Sequence, residues 1–206
     1  MIVRGKQSWP GSGVAGGFSL IEMLLVLVVI GVVAVLLNSE FTHSSRERAL
    51  EGCRRNLQMM YLALSIYEKD NNGAFPFWQD ARRPAQPLSL LVPKSTTTTE
   101  IFICPGSKGL PLPEGTSFAG GKISYAYYMG RASNDASEIL VSDAQVDAAP
   151  KSRGQQIFSE DGQKPGNNHG KAGGNLLACG GDVTTSGPRA ARDVRYPPSV
   201  RMLNPP

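Results

Sequence analysis

Charge is scarce in this chain. Asp, Glu, Lys and Arg make up 18% of its 206 residues, against roughly 25% in typical soluble domains. With 41% hydrophobic residues, that composition excludes a disordered polyelectrolyte, a collagen and a multi-span membrane protein. Cysteine is scarcer still: three residues are too few for a disulfide scaffold. No Gly-x4-Gly-Lys-Ser/Thr loop occurs, and no Gly-x-Gly-x-x-Gly joins a strand to a helix, so nothing cradles a nucleotide phosphate. Neither of the two histidines (His43, His169) has a catalytic setting in the sequence, and no nucleophile–base pair is signalled. The expectation is a protein that is not an enzyme.

The net charge of +4 is confined to the ends. Residues 1–17 contribute +2 and residues 186–206 contribute +3, while 18–185 sum to −1 with 15 basic and 16 acidic residues. No basic face is interleaved with aromatics, so no nucleic-acid surface is expected.

Residues 18–37 read FSLIEMLLVLVVIGVVAVLL, twenty residues with one charge, Glu22. As a helix they span about 30 Å, the thickness of a bilayer core. Arg4 and Lys6 precede the run and no basic cluster follows it. That bias expects the N-terminus in the cytoplasm and the bulk of the chain across the membrane. A secretory signal peptide has a shorter apolar core, of about 7–15 residues. A plain signal anchor leaves unexplained a carboxylate at membrane depth, which costs about 2.5–3.5 kcal/mol on insertion scales.

Gly17-Phe18-Ser19-Leu20-Ile21-Glu22 resembles the cleavage signature of type IV pilins and type II secretion pseudopilins. The resemblance implies a basic leader, 1–17, removed by a prepilin peptidase that cuts between Gly17 and Phe18 and N-methylates Phe18. It also implies that Glu22, with Phe18, directs filament assembly. One departure is Ser39, where many pilins carry a proline.

No proline occurs between Pro10 and Pro76. Leu50, Cys53, Leu57, Met60, Leu64 and Tyr67 recur at spacings of 3, 4, 3, 4 and 3, one stripe of an amphipathic helix. Asp70-Asn71-Asn72-Gly73 stops it, with Gly73 in a left-handed cap. A single helix over 19–70, about 78 Å at 1.5 Å per residue, is expected, its amphipathic half covering 38–72. Leu62 to Pro76 also resembles the helix exit of the major, G-class pseudopilins.

Residues 73–121 hold Pro84, Pro87, Pro93, Pro105, Pro111 and Pro113 and read as irregular, pinned to the helix by Leu88, Leu90, Leu91 and Val92. Strand signals follow within 122–185: at 122–129, with Ile123, Tyr125, Tyr127 and Met129 on one face, at 138–143, and at 175–179 and 182–185 around Gly180-Gly181, a two-residue turn. The expected fold is α+β, a long N-terminal helix packed on three or four antiparallel strands. The tail, 186–206, has five prolines in 21 residues and is expected to be extended or disordered.

The C-terminal half resembles pilin-like proteins with a His-x9-Asp-Gly signature. Phe102-Ile103-Cys104-Pro105, Ser124-Tyr125-Ala126-Tyr127, Leu140-Val141-Ser142-Asp143, Asn168-His169-Gly170 and Gly174-Asn175-Leu176-Leu177-Ala178 match. After His169 and nine residues comes Cys179-Gly180 in place of Asp-Gly, and Asp182 lies three residues later.

Together these resemblances imply a subunit of a type II secretion pseudopilus in the bacterial inner membrane, single-pass, its globular half periplasmic. Its partners would be the prepilin peptidase, other pseudopilins and the inner-membrane assembly platform. A type IV pilus subunit for adhesion, motility or DNA uptake is the alternative, as is an unassembled membrane-anchored binding module. His169 with Asp143, Asp161 and Asp182 matches no zinc or EF-hand template. Hydrogen bonding of His169, Asn167 and Asn168 in the loop before the hairpin is the favoured reading. No cofactor is expected, although the resemblance admits calcium, to be sought first at Asp182 and Asp161. In an oxidising periplasm a Cys104–Cys179 disulfide would tie the irregular loop to the hairpin, leaving Cys53 a buried thiol on the packing stripe.

Overall fold

A computed structural model of the protein describes residues 19–206, the side chains of 35–44 excepted. The leader 1–17, the Gly17–Phe18 bond and the methylation expected at Phe18 lie outside the described residues. The class is α+β. Helix α1 covers Leu20–Asp70 and the short helix α2 Ala85–Leu88. The strands are β1 (Tyr125–Met129), β2 (Ile139–Asp143), β3 (Gly174–Ala178), β4 (Val183–Ser186) and β5 (Arg201–Leu203). The chain divides into two compact units at Thr42–His43.

The stop of α1 follows from its sequence. Asn72 (φ 55°) and Gly73 (φ 83°) take left-handed backbone. The Gly73 N–H then bonds the Glu68 carbonyl at 2.9 Å, and the Asn71 side chain donates to the Tyr67 carbonyl at 2.7 Å. Two of the last carbonyls are thus satisfied. Lys69 in the last turn complements the helix dipole.

In the second unit the predicted stripe is the buried one: Cys53, Leu57, Met60 and Leu64 have no exposed surface. They share a core with Ile123, Tyr125, Tyr127 and Met129, the residues expected on one face of a strand over 122–129, of which Ile123 falls just before β1. The sheet is antiparallel throughout, in the order β4-β3-β2-β1-β5. A shift of register between Ile139 and Val141 places consecutive residues Leu140 and Val141 in this same core, as a bulge does. Between helix and sheet the irregular region contributes Leu88, Leu91, Val92, Ile101, Phe102 and Phe118. Leu90 is only half-buried.

Two expectations need correction. The tail is ordered: β5 pairs with β1 in the register Tyr127↔Leu203. Ala190, Val194, Val200 and Met202 pack with Ala126, Tyr128, Leu176 and Phe158 in a second core, on the other side of the sheet from α1. The tail's prolines flank β5 rather than interrupt it, where they cost no ladder bonds. Five strands therefore form, not three or four. The hairpin turn is also longer than two residues. Gly181 N–H bonds Ala178 O at 3.0 Å and Ala178 N–H bonds Asp182 O at 2.9 Å, with Gly181 at φ 97°, a three-residue loop closed by a glycine bulge. A Cβ on Gly181 would sit 2.6 Å from the Tyr61 ring, so both backbone and packing require glycine there.

Candidate functional site

Two regions of the chain gather functional side chains. The first is the start of α1. Every described side chain from 19 to 34 is exposed, including Leu20, Ile21, Leu25, Leu27 and Ile30, and Glu22 stands among them in the first turn. Covering a side chain of this kind is worth about 2 kcal/mol, so the twelve large apolar residues exposed between 20 and 33 represent on the order of 20 kcal/mol of surface seeking an apolar partner. Among the described residues no helix is long and apolar enough to cross a membrane. The span expected over 18–37 extends past the described side chains at both ends.

The second region is a buried polar centre where α1, the loop after residue 102, β2 and the loop before β3 meet. Asp143, at the end of β2, has no exposed surface. One carboxylate oxygen accepts the Asn175 backbone N–H at 2.8 Å and the Asn175 side chain at 3.3 Å, and lies 3.2 Å from His169 Nε2. The other accepts Asn168 Nδ2 at 3.1 Å. Asn168 also donates to Ser124 O and Asn175 to Leu50 O, so the same amides tie the loop and β3 to the sheet and to α1. Asn167 donates to Gly162 O. The hydrogen-bonding role read for His169, Asn167 and Asn168 is thus what the structure displays. Nearby, the Tyr125 hydroxyl accepts from Asn56. Burial, then the Asp143 charge, push its pKa well above the usual tyrosine value.

The cysteines pair otherwise than expected. Cys53 on α1 is bonded to Cys104, with Cα atoms 5.2 Å apart, and Cys179 is a buried free thiol. The reason is the side of the helix. The stripe position that buries Cys53 points it at the loop carrying Cys104, which Asn56, one turn on, holds through Ile103 O at 2.9 Å. Cys179 instead caps β3, its N–H on Glu138 O. The bridge spans 51 residues, worth about 4 kcal/mol in the loop-entropy account. Burial pushes the Cys179 thiol up to about 11, Asp135 and Glu138 adding to this and Arg131 opposing it. The expected result in thiol titration of unreduced protein is almost no reaction when folded, one thiol in denaturant and three after reduction. Three thiols in the denatured, unreduced chain would show that the bridge is absent.

Asp161 and Asp182 are both exposed. The Asp161 carboxylate already accepts from the Gln163 N–H and the Ser159 hydroxyl, which hold it below the usual carboxylate range. Among the described residues neither belongs to a group of three or more potential side-chain ligands; the one such group is Cys53, Cys104, Asp143 and His169. The side-chain donor set for calcium, six to eight oxygens, is not assembled at Asp161 or Asp182. Sequence reasoning placed His169 and Asp143 together but left out Cys53 and Cys104. The available signal was Asn56, a polar residue beside the buried stripe that had to face a partner.

No family model, no curated protein and no solved structure matches this chain.

Proposed function

We propose that this chain is a pilin-like structural subunit, most specifically of a type II secretion pseudopilus. A prepilin peptidase removes 1–17 and methylates Phe18. The apolar start of α1 then resides in the bacterial inner membrane, with the leader side cytoplasmic and 43–206 periplasmic. An inner-membrane assembly platform draws the helix into a filament with other pseudopilins, and filament growth drives protein export. The observation that carries this reading is the exposed apolar row from Leu20 to Val33 holding a single carboxylate, Glu22, directly after Gly17-Phe18. The α+β arrangement, with the later half of α1 against an antiparallel sheet, supports a pilin-like fold. Met59, Leu62 and Ile66 form a further exposed apolar row on α1, suited to helix–helix packing.

Processing tests the proposal directly. The mature protein is expected to begin at Phe18. Gly17→Val places a branched side chain beside the scissile bond and is expected to leave the full 22.0 kDa chain uncut and unassembled. A normally shortened product from that variant, or a mature N-terminus elsewhere, would overturn the pilin reading.

A further inference from the structure

We infer that Cys53, Cys104, His169 and Asp143 form a zinc site when the Cys53–Cys104 bridge is reduced, so that the disulfide and a bound divalent cation are alternative cross-links of one buried centre. Their ligand atoms all lie within 4.8 Å of one another and all four residues are buried. In a tetrahedral zinc site with bonds of about 2.3 Å to sulfur and about 2.0–2.2 Å to nitrogen and oxygen, a nitrogen and an oxygen ligand stand about 3.3 Å apart, and a nitrogen and a sulfur about 3.6 Å. His169 Nε2 is 3.2 Å from Asp143 Oδ2 and 3.5 Å from Cys104 Sγ, close to two edges of that tetrahedron. Two thiolates, an imidazole and a carboxylate are a donor set that zinc accepts and that calcium, an oxygen-seeking ion, does not.

The surroundings fit the same purpose. Asp143 Oδ1 is held by Asn168, and Oδ2 by the Asn175 N–H. The Gly106 N–H points at Cys104 Sγ at 3.3 Å. These are the outer hydrogen bonds that orient ligands and temper thiolate charge. A Cβ on Gly106 would stand 2.9 Å from His169 Nδ1, so glycine lets the Cys104 loop close over the ring. A cleft of about 260 Å³ lined by Arg46, Pro105, Gly106, Asn167, Asn168 and His169 offers a way in for an ion.

The chemistry balances in two steps. A dithiol reductant gives two electrons and two protons to the Cys53–Cys104 bond and becomes a disulfide, leaving two thiols. One zinc ion then displaces both thiol protons to solvent and takes the Nε2 and carboxylate lone pairs. The inference does not depend on filament assembly.

Purified full-length protein in a mild detergent, prepared oxidised and phosphine-reduced without oxygen, provides the test. The probes are cobalt(II) and zinc alone. Reduced protein is expected to bind one cobalt per chain with thiolate-to-metal absorption and the visible bands of a tetrahedral ion, bleached by zinc. Zinc should raise the melting temperature of the reduced form only. Oxidised wild type is the folded negative control, so the test needs no cysteine variant. His169→Ala is expected to weaken zinc binding at least tenfold. Reduced, folded protein without a thiolate–cobalt band would overturn the inference, as would equal binding by the oxidised form. If reduction unfolds the chain, restoration by zinc supports the site and failure to restore overturns it.

Discussion

Glu22→Leu protein is expected to be cleaved, to insert and to fold over 43–206, yet to build few or no filaments. Glu22 is the single charge in the apolar run 18–37, and cleavage after Gly17 would leave a positive amine on Phe18, four residues and about one helical turn away. In a filament the same carboxylate can meet the amine of a neighbouring subunit. An unpaired charge in an apolar interior costs several kcal/mol, so the pairing would select one axial register among many equally greasy ones. Leucine removes that choice and improves insertion. The cut survives because the scissile bond lies upstream. Glu22→Asp, with a shorter arm, is expected to assemble partially. Sheared-filament yield and export measure the loss, and circular dichroism reports the fold. Normal filaments from cleaved Glu22→Leu protein would remove Glu22 from any role in register.

The second large effect is on stability. Asp143→Ala withdraws the acceptor of the Asn175 N–H, the Asn175 and Asn168 amides and the neighbouring His169 nitrogen, all at a residue with no exposed surface. Each buried donor left unmet costs about 1–3 kcal/mol. Relaxation and water entry reduce the sum, and a loss of about 4 kcal/mol is expected, comparable with the whole stability of a marginal domain. Urea unfolding of the oxidised protein is the measurement. Asp143→Asn, which keeps one acceptor oxygen, should lose less, and Asp161→Ala, at an exposed site, should move the midpoint far less than Asp143→Ala. An Asp143→Ala midpoint equal to wild type would mean that the centre does not hold the β2–β3 end of the sheet together.

Local chemistry explains which features were legible from residues alone. The helix, its buried stripe from Cys53 to Leu64, its stop at Asn72-Gly73 and the inward face of β1 rest on periodicity and backbone preference within a few residues, and the structure displays each of them. The location of β3 and β4 about Gly180-Gly181 is of the same kind. The turn's length is not, because Gly181 also answers to Tyr61 on α1, 120 positions away in sequence.

Tertiary structure decided the rest. Arg201–Leu203 is three residues long and proline-flanked, and becomes a strand because β1 offers it an open edge. No local signal reports that edge. The three cysteines allow more than one pairing from sequence. Only the direction in which α1 buries Cys53, and the placing of the Cys104 loop by Asn56, make the Cys53–Cys104 bridge and leave Cys179 alone. Asp143, at the end of β2, and His169, in the loop before β3, acquire their shared environment from sheet register and loop closure. Residue type and spacing determine what a segment can form and which face it hides. Which distant segments meet depends on contacts that exist only once the chain has folded.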